Sequence, residues 1–143
     1  MANSSVTIAT KEWQREKGHA HVVTVEINFV ADDTDGSVPA TAFSEAVMQK
    51  IRGLFLETMI VVPDGVTPPQ NLFDITLIGG DTGLDLLGGA GVDIAVAAPS
   101  QALPLIGTDV VKRFISETPT FTVENNNVNS AECYIQLIFT RNE

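Results

Sequence analysis

The sequence predicts an all-β fold, an antiparallel β-sandwich or barrel-like domain, and three observations support this class. Four segments alternate apolar and polar side chains with a period of two, which is typical of strands that bury one face. Clusters of Asp, Asn, Gly and Pro lie between these segments and stop strands. The chain has 143 residues, of which 44% are hydrophobic, so we expect one domain, residues 1–143, with a packed core.

The alternating segments each have one polar face. In the first, four apolar side chains alternate with Thr24, Glu26 and Asn28. One wet face per strand favours antiparallel sheets over parallel sheets, whose strands are buried on both sides. The predicted strands are residues 21–30, 73–77, 120–124 and 132–140.

Residues 43–59 do not follow this pattern. Phe43, Val47 and Ile51 recur with helical spacing, but Gly53 interrupts it and residues 57–62 have the composition of a strand. We therefore favour two strands here, with one short helix around residues 43–52 as the alternative.

A second irregular stretch, residues 79–107, contains seven glycines and three charged residues. A long apolar loop is not expected to lie free in water, so it packs on its own sheet or contacts another subunit, and both alternatives stay open. Trp13, an aromatic residue in polar company, is either a lid on the core or an interface anchor. The candidate interface residues are Val6, Ile8, Trp13, Leu84, Leu86, Leu87, Val92, Ile94, Leu103 and Leu105.

Charge and composition argue against several classes of partner. Eight basic and 18 acidic residues give a net charge of -10, which disfavours direct binding to nucleic acid. No apolar run reaches the roughly 18 residues of a membrane-spanning helix, and the amino terminus lacks the pattern of a secretory signal. The single cysteine, Cys133, excludes an internal disulfide framework.

Two motifs resemble catalytic or cofactor-binding sequences. Asp81-Thr82-Gly83 copies the triplet of retroviral-type aspartic proteases, but no partner motif accompanies it, so we interpret it as a turn. Residues 88–91, Gly-Gly-Ala-Gly, resemble a phosphate-binding loop without the helix and lysine that such loops need. We therefore expect no catalytic residue and no cofactor.

Metal binding has two weak candidates. His19 and His21 share one strand face, but a zinc site needs a third or fourth ligand that the sequence does not place. The aspartates of residues 32–35 are interpreted as a solvated turn rather than a calcium loop. Cys133 lies on the apolar face of the last strand and is expected to be a buried small hydrophobe. We expect no metal.

Three segments together resemble small structural proteins of tailed bacteriophages. They are the strand Phe-Asp-Ile-Thr-Leu at 73–77, the turn Leu-Asp-Leu-Leu-Gly-Gly-Ala-Gly at 84–91, and the turn Glu-Asn-Asn-Asn-Val-Asn-Ser-Ala at 124–131. An opening strand at residues 6–8 also fits, whereas residues 42–50 match least.

The resemblance implies a virion protein made in the host cytoplasm. Among virion proteins it favours a minor capsid protein that decorates the capsid, also called a cement protein. Such proteins bind the major capsid protein on the capsid surface as homo-oligomers, and a trimer is expected. An extended N-terminal arm, residues 1–10, is a candidate lashing strand. The alternatives are a head–tail connector or tail structural protein, and a carbohydrate-binding β-sandwich.

Overall fold

The computed structural model describes residues 3–14 and 21–141, in which eleven strands and one helix form a sandwich of antiparallel sheets. The all-β prediction is confirmed. The elements are β1 (Ser5–Gln14), β2 (His21–Val30), β3 (Thr41–Ala42), α1 (Glu45–Ile51), β4 (Phe55–Pro63), β5 (Asp74–Gly79), β6 (Ser100–Ala102), β7 (Leu105–Ile106), β8 (Asp109–Val110), β9 (Arg113–Phe114), β10 (Pro119–Glu124) and β11 (Glu132–Thr140).

The larger sheet has the strand order β1-β2-β11-β4-β6, and β9 pairs with β4 beside β6. The smaller sheet has the order β3-β10-β5, and β7 and β8 form a separate hairpin. Phe29 on β2 joins the two sheets, because its ring lies 6.3 Å from that of Phe73 and 6.2 Å from that of Phe121. The core therefore lies between the sheets.

The predicted alternation places the apolar faces inward. On β2 the side chains of Val23, Val25, Ile27 and Phe29 are buried, and the same holds for the apolar face of β11. Polar side chains on the opposite face form their own contacts; the hydroxyl of Tyr134, for example, donates to the carboxylate of Glu26. The strands β2 and β11 thus each bury one face, as their sequences predict.

The favoured prediction of two strands across residues 43–59 is wrong for residues 45–51, which form helix α1. The side chain of Ser44 caps the helix by accepting a hydrogen bond from the backbone N–H of Val47 at 3.3 Å. Gly53 lies just after the helix end with a φ of 88°, a left-handed conformation that ends the helix. It therefore does not interrupt the helix. Val47, Met48 and Ile51 are buried, and α1 packs against β1 and β2.

Residues 5–10, expected to belong to an extended arm, form the first half of β1. This strand pairs with β2 over its whole length, from Ser5 opposite Val30 to Gln14 opposite His21. Within residues 3–14 and 21–141, no helix has the length and apolarity to cross a membrane.

Candidate interaction surface

The structure divides the predicted interface residues into three groups. Leu84, Val92 and Leu103 are exposed, whereas Val6, Ile8 and Leu105 are half-buried. The backbone of Trp13 lies in β1 opposite Val22, and its side chain lies outside the described part of the chain. Leu86, Leu87 and Ile94 are buried in the core, which corrects their assignment to an interface.

The three buried residues lie inside because residues 84–94 run along the free edge of β5. The backbone N–H of Leu86 donates to the oxygen of Leu77 at 2.7 Å, and that of Ile94 donates to Phe73 at 2.8 Å. The carboxylate of Asp85 accepts hydrogen bonds from the N–H groups of Leu77, Leu87 and Gly89 at 2.9–3.1 Å. The loop of residues 79–107 therefore packs on its own sheet with one side and exposes Leu84 and Val92 on the other.

The most exposed apolar part of this region is the hairpin of β7 and β8. Its base is fixed by hydrogen bonds from the N–H of Leu105 to the oxygen of Leu87 (3.1 Å) and from that of Val111 to Pro104 (3.0 Å). Ile106 and Val110, one on each strand of the hairpin, are 57% and 60% exposed.

Close packing explains two of the three glycines at residues 88–91. A Cβ at Gly88 would overlap the carbonyl oxygen of Leu105, and one at Gly91 would overlap that of Ile75. The N–H groups of Gly88 and Gly89 already donate to Asp85. Gly88 and Gly91 thus let backbone segments approach closely, and the amides of Gly88 and Gly89 do not form an open phosphate cradle.

Residues 81–83 form the predicted turn. The carboxylate of Glu117 accepts hydrogen bonds from the backbone N–H groups of Asp81 and Thr82, at 2.8 and 2.9 Å, and from the Thr82 hydroxyl at 2.9 Å. These bonds, that from the Thr82 backbone above all, lower the pKa of Glu117. Asp81 itself is exposed.

The aspartates of residues 32–35 also form a turn, organised around Asp32. Its buried carboxylate accepts hydrogen bonds from the backbone N–H groups of Thr34 (2.8 Å), Asn3 (3.1 Å) and Asp35 (3.2 Å). The bond from Thr34 contributes most to lowering the pKa of Asp32. The carboxylate therefore organises backbone rather than pointing to an open cation site.

The remaining candidates for chemistry are histidines and the cysteine. His19 lies outside the described residues, and His21 is described by its backbone alone. Among the residues that the structure does describe, no group of three or more metal-ligating side chains is gathered. Cys133 is buried as predicted, and desolvation raises the pKa of its thiol to about 12.

Comparison with known proteins gives little. No family model matches the chain, and no curated protein matches it. One solved structure, the capsid asymmetric unit of cyanophage Pam1, contains a chain that is similar at 10% identity and a TM-score of 0.38. The match covers 99% of this chain and 86% of that chain.

Sequence reasoning missed five of the exposed apolar residues. Their signal is weak, because each lies in a turn or a two-residue strand where no periodicity separates buried from exposed positions. A usable hint is Gly107, which marks a turn between two apolar pairs and so predicts a hairpin. The missed residues are Val66, Leu72, Ile106, Val110 and Phe114.

Proposed function

We propose that this chain is a structural protein of a tailed-phage virion that binds the outer capsid surface as a decoration, or cement, protein. One observation carries the proposal: a sandwich with a packed core exposes seven large apolar side chains between residues 72 and 114. A monomeric surface gains nothing from holding such side chains in water, whereas a docking surface does. The seven residues are Leu72, Leu84, Val92, Leu103, Ile106, Val110 and Phe114.

The three segments that resemble phage structural proteins also meet in space. Residues 84–91 lie along β5, which contains most of residues 73–77. Asn125 donates from its side-chain amide to the carboxylate of Asp74 on the same strand. The motifs therefore form one structural unit, as expected of sequence features that maintain a shape.

The net charge of -10 supports the outer face of the particle, since packaged nucleic acid would repel an acidic protein. A ligand that binds the mature shell and not its disassembled subunits stabilises the shell by about 2.7 kcal/mol per site at a concentration 100 times its Kd. Stabilisation of the particle needs no catalytic group on this chain.

The test is cosedimentation with empty expanded capsids. Val110→Asp places one charge in the exposed hairpin, and we expect it to weaken capsid binding at least ten-fold. Val66→Asp is the matched control, because Val66 is 91% exposed but lies in a different loop. Absence of binding by the native chain, or equal binding by both variants, would overturn the proposal. Retention on a glycan array would instead favour a carbohydrate-binding sandwich.

The proposal also includes the absence of enzymatic activity at the Asp81-Thr82-Gly83 turn. Asp81→Asn is expected to leave folding and capsid binding unchanged, because the hydrogen bonds of this turn use the backbone of Asp81 and not its carboxylate. A peptide-cleaving activity that disappears in this variant would contradict it.

A further inference from the structure

The outer edge of β1 is the longest strand edge that the described chain leaves uncovered. β1 pairs with β2 alone, over ten residues. By contrast, the outer edge of β4 is covered by β6 and β9, and that of β5 is covered by residues 84–94. The chain thus uses its own loops to protect the other long edges and leaves this one open to another strand.

The backbone groups at this edge can be assigned. Ala31, which continues β2, donates from its N–H to the oxygen of Ala131 at 2.8 Å, so the odd residues of β2 hydrogen-bond to β11 and the even residues to β1. The even residues of β2 lie opposite Ser5, Thr7 and Ala9. The N–H and C=O groups of Val6, Ile8 and Thr10 therefore point to the open edge.

We propose that β1 pairs antiparallel with β1 of a second copy of this chain, about a two-fold axis through Ile8. Ile8 then faces the partner's Ile8, and Val6 and Thr10 face each other across the axis. The three hydrogen-bonded pairs join the larger sheets of both copies into one continuous sheet. This inference concerns self-association, stands without the proposed capsid function, and proposes a two-fold pair in place of the trimer that the resemblance implies.

Charge and register favour a second copy as the occupant. Residues 5–10 carry no charge, no Pro and no Gly, although the chain as a whole has a net charge of -10. Two copies can therefore approach here without like charges meeting. Only registers that pair residues of the same parity keep both cores on one side of the sheet. Among the registers that meet this condition, an axis through Ile8 pairs only uncharged residues in the three hydrogen-bonded pairs and leaves Lys11 and Glu12 outside them.

The proposed register places Thr7 opposite the partner's Ala9, on the outer face of the sheet. Both side chains are exposed, so both can be changed without repacking the core. Thr7→Lys alone would face an uncharged Ala9, so two double variants are compared. Thr7→Lys/Ala9→Lys puts two like-charged pairs across the axis, whereas Thr7→Glu/Ala9→Lys puts two opposite-charged pairs there. Within one chain, both variants place the same lysine opposite Glu26 of β2.

The assay is sedimentation velocity on the full chain over a range of concentrations. We expect a two-copy species for the native chain, and dissociation constants about ten-fold or more apart for the two variants, weaker for Thr7→Lys/Ala9→Lys. That variant carries the smaller net negative charge, so its weaker association cannot come from overall repulsion. A native monomer at every concentration, an assembly with an odd number of copies, or equal constants for the two variants would overturn the inference.

Discussion

Gly88 lies in the loop along β5 and packs against the exposed hairpin of β7 and β8. Its replacement by alanine tests how this hairpin is held in place. The residue has a φ of 62° and lies against the carbonyl oxygen of Leu105 at the start of β7. Gly89, the next residue, has a φ of 88°, and a methyl group added there would meet no heavy atom within 4 Å. The two glycines share the left-handed backbone but differ in the space around them.

This difference sets the expected magnitudes. A left-handed conformation costs an alanine about 1–2 kcal/mol, and both Gly88→Ala and Gly89→Ala incur that cost. Only Gly88→Ala forces a methyl group into a backbone atom, which adds about 1–3 kcal/mol because no rotamer change relieves it. For a domain of this size, Gly89→Ala is expected to lower Tm by about 3–6 °C and Gly88→Ala by about 6–15 °C.

Two measurements check the reasoning. Calorimetry gives the two Tm values, and amide hydrogen exchange at Leu105 reports its hydrogen bond to the oxygen of Leu87. We expect faster exchange in Gly88→Ala, because β7 must move away, and native exchange in Gly89→Ala. Equal Tm losses with native exchange at Leu105 in both variants would refute the argument that close approach fixes this hairpin.

Three further predictions concern titrating and nucleophilic groups. Folding lowers the pKa of Asp32 from 3.8. The ionised carboxylate therefore contributes its full stabilisation above that pH and loses it as the pH falls through the folded pKa. Asp32→Asn should make the free energy of unfolding depend less on pH in the acid range. Glu117→Gln should speed amide exchange at Asp81 and Thr82, while a matched Glu124→Gln leaves both unchanged. The Cys133 thiol, with its pKa raised to about 12, should resist alkylation at about pH 8 until denaturant is added, and rapid labelling of the native chain would contradict its burial.

The strands can be predicted from sequence because their burial follows a period of two. In β2 and β11, every residue that faces the core is apolar, and it pairs across the sheet with another residue that faces the core. The local pattern and the tertiary packing therefore agree. Helix α1 is harder to predict. Its sequence signals are an N-cap residue and a glycine after its end, not a long run of helical periodicity. The helix has seven residues between Ser44 and Arg52, too few for its apolar spacing to outweigh the nearby Gly53.

In the loop of residues 79–107, the buried and exposed side chains cannot be told apart from sequence, for a different reason. Leu84 and Leu86 are two residues apart and chemically identical, yet one is 56% exposed and the other 2% exposed. Both backbones are bonded to β5, the carbonyl of Leu84 to the N–H of Gly79 and the N–H of Leu86 to the oxygen of Leu77, and no local pattern encodes which side chain turns inward. The predicted interface residues of this loop therefore include both exposed and buried side chains.

The same construction explains why the exposed side chains are available to a partner. The carboxylate of Asp85 and the carbonyl of Gly91 accept hydrogen bonds from the N–H groups of Leu77 and Ile75 at the edge of β5, so the loop does not need all of its apolar side chains to hold its place. Val92 and Leu103 are then free to face outward on a backbone that is already fixed, and docking them costs less conformational entropy than ordering a mobile loop would. If the chain has the function proposed above, these fixed side chains would suit a partner of fixed geometry, such as the repeated surface of a shell.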